Sequence, residues 1–135
     1  MIARDEDRAK IQKFFWKKKI SVCKEESSIM KEYIQVFTTT EKKEDAEKIA
    51  QTLVKERLAG CVQIIGTISS VYRWKNKIEK AEEWLCLIKS EKRLYAELEK
   101  TIKGMHPYET PEITSLPIVA GSKEYLQWLD KELRG

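Results

Sequence analysis

The chain has 135 residues, 41% of them hydrophobic and 36% charged, with five Gly and three Pro. That is enough for one real core, too little for two ordinary domains, and unlike a low-complexity or collagenous composition. Of the net charge of +4, residues 1–29 carry +3, so the body lacks the basic excess of a nucleic-acid-binding domain and no nucleic-acid partner is expected.

Residues 1–29 read as an N-terminal extension, with a helix expected over Arg4 to Ile20. Its main feature is Phe14-Phe15-Trp16 followed by Lys17-Lys18-Lys19. Aromatics beside a basic run suit a membrane surface or a single-stranded nucleic acid. The competing reading is a terminal helix that docks these rings on the body or on a neighbouring chain, since Asp5, Glu6 and Asp7 lie in the same stretch. No apolar run approaches the roughly 18 residues of a spanning helix, so no integral membrane segment is expected. Met1 to Lys19 contains no apolar stretch of the secretory-signal kind. Cys23, Cys61 and Cys86 are an odd number at irregular spacing, which argues against a disulfide framework and favours a reducing compartment.

Residues 30–135 read as the folded domain. Tyr33 to Thr38 alternates as a first strand. Thr39 or Thr40 is the expected cap of a helix whose apolar positions are Ala46, Ile49, Ala50, Leu53, Val54 and Leu58, with Gly60 as its stop. Cys61 to Trp74 is a long second strand, with a bulge or bend expected near Gly66 or at Ser69–Ser70, where the apolar parity breaks. Lys75-Asn76-Lys77 is a tight turn, and Ile78 to Lys89 returns as a third strand with Trp84, Cys86 and Ile88 on one face and Leu85 and Leu87 on the other. Ser90 is the expected cap of a second helix carrying Leu94, Leu98 and Ile102 and ending at Gly104. Ile113 to Ala120 is a fourth strand, placed at an edge or bulge by Pro117, and Ser122 caps a last helix with Tyr125, Leu129 and Leu133 on one face.

The order β-α-β-β-α-β plus a terminal helix predicts an α+β sandwich: a four-stranded antiparallel sheet covered by two helices on one face. The opposite face carries apolar residues such as Phe37, Ile65 or Leu87, which predicts an oligomer. Trp74 and Trp84 on the projecting hairpin are candidate interface anchors.

The chemistry-bearing stretch is His106-Pro107-Tyr108-Glu109-Thr110-Pro111-Glu112, with the only His and two carboxylates. It reads either as part of a metal site or as a rigid connector into the last strand. Cys61 reads as a small buried hydrophobe or as a thiolate partner of His106; no oxyanion donor or nucleophile signature accompanies it, and phosphate-loop, dinucleotide and zinc motifs are absent from the sequence.

These stretches resemble the CutA family of divalent-cation tolerance proteins. The likeness covers roughly residues 32–133 and rests on Val36-Phe37-Thr38-Thr39, Leu58-Ala59-Gly60-Cys61-Val62, Ser70-Val71-Tyr72-Arg73-Trp74, His106 to Glu112, Pro117-Ile118 and Tyr125 to Leu129. It implies a ferredoxin-like fold, a homotrimer similar in architecture to PII-type signalling proteins, cytoplasmic residence and a non-enzymatic role in metal tolerance. It also implies copper(II) or another divalent cation as ligand, none essential for folding. His106, Cys61 and Glu109 are then the expected metal contacts, and Trp74, Trp84, Tyr108 and Glu112 the expected interface or cleft residues. Some members carry a Cys where this chain has Thr38 and a second His where it has Met105, which leaves His106 as the main candidate ligand. A PII-like small-molecule sensor and a scaffold for an unidentified protein partner are the competing functions.

Overall fold

The structure, a computed structural model, describes residues 31–135, so the helix expected over Arg4–Ile20 lies outside the described residues. Glu32–Gly135 is one compact unit. Its elements are β1 (Tyr33–Thr40), α1 (Lys43–Lys55), β2 (Cys61–Trp74), β3 (Lys77–Glu91), a 3-10 turn (Lys92–Leu94) running into α2 (Tyr95–Met105), β4 (Thr114–Pro117) and α3 (Lys123–Glu132). The strands form one antiparallel sheet in the order β2-β3-β1-β4. This is the α+β sandwich that the element order predicts.

One parity of the sheet makes the core. Val36 faces the helices with Cys86 and Ile88, and all three are fully buried against Ala46, Ile49 and Leu53 of α1 and Leu98 and Ile102 of α2. Each large apolar side chain buried this way contributes about 1.5–3 kcal/mol. The other parity is aligned in rows by the register: Ile65–Leu85–Thr39, then Gln63–Leu87–Phe37–Thr114, then Cys61–Lys89–Gln35–Leu116. Phe37, Leu85 and Leu87 there are half-buried, while Ile65 and Leu116 are exposed.

Several expected boundaries move, each for a local reason. β1 continues through Thr40, because Thr39 and Thr40 pair with Leu85 and Trp84; neither threonine caps α1. Lys42 takes the N-cap position without a side-chain bond, and the Thr40 hydroxyl donates to the Lys42 carbonyl at 2.8 Å. α1 ends at Lys55, not at Gly60. Arg57 takes the left-handed position at φ 60°, and the Arg57 and Leu58 N–H groups bond back to the Val54 and Leu53 carbonyls, closing the helix end. The Arg57 guanidinium in turn donates to the Lys131 and Glu132 carbonyls at the end of α3. Gly60 serves close packing instead: a Cβ there would lie 2.5 Å from Leu129 Cδ1.

Ser90 is likewise not a helix cap. It is the penultimate residue of β3 and buries its hydroxyl, which donates to the Leu58 carbonyl at 2.6 Å. α2 passes through Gly104 to Met105, and β4 is shorter than expected, pairing only with β1 at the sheet edge and ending at Pro117. Three expectations hold. The register shift in β2 falls between Ile65 and Ile68, at Gly66. Lys75 and Asn76 take φ 48° and 66° in a two-residue turn. The Ser122 hydroxyl accepts from the Tyr125 N–H at the start of α3.

Candidate functional site

The chain leaves α2 at Met105 and turns extended at His106 (ψ 132°). The segment that follows, with Pro107 and Pro111, places His106 against Thr39 of β1 and Tyr108 against Glu83 of β3. His106 fixes this placement. Its ring is 9% exposed; Nε2 lies 2.8 Å from the Thr39 carbonyl, and Nδ1 accepts from the Tyr108 N–H at 3.1 Å. A carbonyl can only accept, and a backbone N–H can only donate. In this geometry Nε2 is the donor and Nδ1 the acceptor, so both ring nitrogens are engaged.

Tyr108 continues the chain of contacts. Its ring lies 4.7 Å from that of His106, and its hydroxyl donates to Glu83 Oε2 at 2.8 Å. Glu83 is 7% exposed. Burial alone would raise its pKa, but hydrogen bonds from the Ser70, Tyr108 and Thr39 hydroxyls, with a smaller electrostatic effect of His106, outweigh it and hold the carboxyl below its ordinary 4.5. The Tyr108 phenol is pushed up by burial and by the hydrogen bond and charge of Glu83, so it stays a donor.

These groups form one wall of an open cleft of about 650 Å³. The carboxylates of Glu83, Glu109 and Glu112 and the rings of Tyr72, Trp74 and Tyr108 line it. Glu112 Oε2 also receives a long bond, 3.4 Å, from the Thr114 hydroxyl. The arrangement sets fixed negative charge against aromatic walls, a setting that attracts cations.

Of the residues singled out in the sequence, Trp74, Tyr108, Glu109 and Glu112 meet at this cleft, and His106 props it from behind. Trp84 does not. It shares the core parity of Cys86 and Ile88, its ring covers Gly66, and the Lys43 ammonium lies 5.4 Å from its centroid. Nor is Cys61 brought to His106. Cys61 pairs with Lys89, whereas the Thr39 strand position that His106 touches pairs with Leu85. Four strand residues separate those positions, about 13 Å along the sheet. Among the described residues, no three His, Cys, Asp or Glu side chains are gathered closely enough to hold a metal ion. His106, Cys61 and Glu109 of one chain thus do not gather into such a group.

Sequence reasoning missed Glu83, Ser70 and Thr39. Glu83 shares the parity of Leu85 and Leu87, a signal available in the alternation, but its position on a polar hairpin gave no reason to link it to a loop 25 residues away.

The model of the family described as CutA1 divalent ion tolerance protein matches residues 34–132. The divalent-cation tolerance protein CutA of Thermus thermophilus is 43% identical over 94 residues, covering 70% of this chain and 91% of that protein. The chloroplastic protein CutA of Arabidopsis thaliana is 39% identical over 114 residues, covering 84% of this chain and 63% of that longer protein. A solved structure, the periplasmic divalent cation tolerance protein CutA of Archaeoglobus fulgidus, is 37% identical with a TM-score of 0.73, covering 76% of this chain and 99% of that one. The words chloroplastic and periplasmic in these names overturn the expectation of cytoplasmic residence, because family likeness and cysteine count do not fix a compartment in a family found in several. On the length and identity of these matches, the chain belongs to the CutA1 divalent ion tolerance family.

Proposed function

We propose that this chain is a non-enzymatic protein of divalent-cation tolerance, acting as a homotrimer that meets copper(II) or a similar cation at the loop of residues 106–112. The observation that carries the reading is the family match over residues 34–132, which includes this loop. The trimer is supported by the apolar patch of Phe37, Leu85 and Leu87 and by the exposure of Ile65 and Leu116 on the same sheet face.

The cation contact we assign to Glu109 and Glu112, whose carboxylates face the cleft. His106 can add its nitrogen only where the Tyr108 N–H releases Nδ1. The described residues of one subunit gather too few donors, so water or a neighbouring subunit, with Cys61 as its thiolate, completes the set. Binding is accordingly modest.

Deleting the gene in its host and challenging growth with graded copper and zinc tests the role. The deletion strain is expected to be the more sensitive, and equal growth overturns the reading. Calorimetric titration of copper(II) and zinc tests the contact. Replacing both Glu109 and Glu112 by Gln is expected to weaken binding more than His106→Ala does; the reverse order would return the imidazole to the centre of the site.

A further inference from the structure

The composition of the cleft is the reverse of the chain's. The protein has 26 Lys and Arg against 22 Asp and Glu, yet among the described residues the cleft lining has three carboxylates and neither Lys nor Arg. A second feature goes unused by an inorganic cation. Trp74 offers no lone pair for a metal ion to take up, and the Tyr108 hydroxyl is already committed to Glu83. Aromatic faces do attract an ammonium group, and they cover methylene groups as well.

The protein displays that affinity within its own chain. The Lys75 ammonium at the hairpin turn lies 5.8 Å from the Trp74 ring centroid. That contact is made by an exposed, flexible side chain, so an incoming ammonium can replace it at small cost. Deeper in, Glu83 is nearly buried and its Oε2 is fixed by the Tyr108 hydroxyl, so one anionic anchor is positioned before any ligand arrives. The volume, about 650 Å³, is that of a small-molecule site.

We propose that the cleft binds a small aliphatic diamine, a dication that pairs its ammonium groups with the carboxylates of Glu83, Glu109 and Glu112 and lays its methylene chain against Tyr72 and Trp74. The charge alone would suit any cation; the rings select one that carries hydrocarbon. This ligand is distinct from the divalent metal, and its binding does not depend on the metal-tolerance reading.

The test is calorimetric titration of the full chain at low ionic strength with putrescine, with 1,4-butanediol as its uncharged counterpart, and with magnesium as a dication of equal charge and no hydrocarbon. Putrescine is expected to bind saturably and at least tenfold more tightly than magnesium, while butanediol gives no saturable binding. Glu109→Gln, at an exposed position, should weaken putrescine at least threefold. Trp74→Ala should do the same while leaving magnesium unchanged. Magnesium binding as tightly as putrescine, the absence of saturable putrescine binding, or unchanged affinity in both variants would each overturn the proposal. Copper(II) and zinc titrated into the same preparation report on the metal contact separately, so either reading can fail without the other.

Discussion

Tyr108→Phe isolates the bond on which the cleft is built. The substitution keeps the ring beside His106 and removes one hydroxyl, which donates to the nearly buried Glu83 carboxylate at 2.8 Å. A hydrogen bond to a charged acceptor contributes about 1.5–3 kcal/mol, and Tyr108 is only half-buried, so the expected loss at pH 7 lies at the lower end, about 1.5 kcal/mol. The loss depends on pH in a definite direction. Glu83 is held below its ordinary 4.5 in the folded chain, so its contribution is fully present above that value and disappears as pH falls through the lower, folded one. Once protonated, Glu83 accepts only as a neutral acid, and the same substitution should then cost about 0.5–1 kcal/mol. Urea unfolding of both proteins at pH 7 and at a pH low enough to protonate the folded Glu83, at one fixed chain concentration, reads the two losses. Wild type should lose stability on acidification more steeply than the variant, so that the gap between them narrows. Equal losses at both pH values would refute the reasoning, because the acceptor would not then be a carboxylate that titrates in this range.

The mass in solution should be close to three times 15.9 kDa, and a monomer in light scattering at low micromolar concentration would remove the trimer from the proposed function. A chain beginning at Met30 should remain soluble and trimeric; aggregation would mean that residues 1–29 cover an essential surface. Gly66→Val should cost about 1–3 kcal/mol and shift the near-ultraviolet dichroism of Trp84, since any Cβ at that position runs into the indole ring; an unchanged spectrum would contradict this placement. At pH 8, Cys86 should react with iodoacetamide far more slowly than Cys61, because it is fully buried and its thiol is pushed up to about 11; equal rates in the folded protein would disprove that burial.

The architecture was legible because long elements repeat their signal. The alternation of Trp84, Cys86 and Ile88 and the spacing of Ala46, Ile49 and Leu53 each state a buried face several times over. The misreadings lie where one residue had to decide between two partners. Thr39 and Thr40 have the chemistry of caps, but opposite them Leu85 and Trp84 offer strand pairing, and two residues of ladder outweigh one capping bond. Ser90 has the same chemistry and finds a buried carbonyl at Leu58, 32 residues away, which local reasoning cannot see. Gly60 looked like a helix stop because a left-handed residue usually is glycine; here Arg57 accepts that conformation, with its guanidinium held by the carbonyls of α3. The site divides in the same way. The loop from His106 to Glu112 is contiguous and was visible, whereas the hydroxyls and the carboxylate that complete it come from β1, β2 and β3 and meet only through the sheet register.

That register ties the cleft to the apolar patch on the sheet. Along β3, the parity of Glu83 continues through Leu85 and Leu87 to Lys89: a buried carboxylate, two apolar residues, then a cation beside Cys61. A slip of one residue would turn Glu83 toward the helices and Cys86 and Ile88 away from them, exchanging core and surface along the whole strand. The shift between Ile65 and Ile68 in β2 leaves the β1–β3 pairing intact while turning the outer half of the hairpin, so Ser70, Tyr72 and Trp74 reach the cleft. Cleft and apolar patch therefore share one side of one sheet. Any subunit that covers Phe37, Leu85 and Leu87 approaches the carboxylates of the cleft, and a cation held there changes the charge which that subunit meets. Binding and assembly are thus expected to be linked, each strengthening or weakening the other by the same factor.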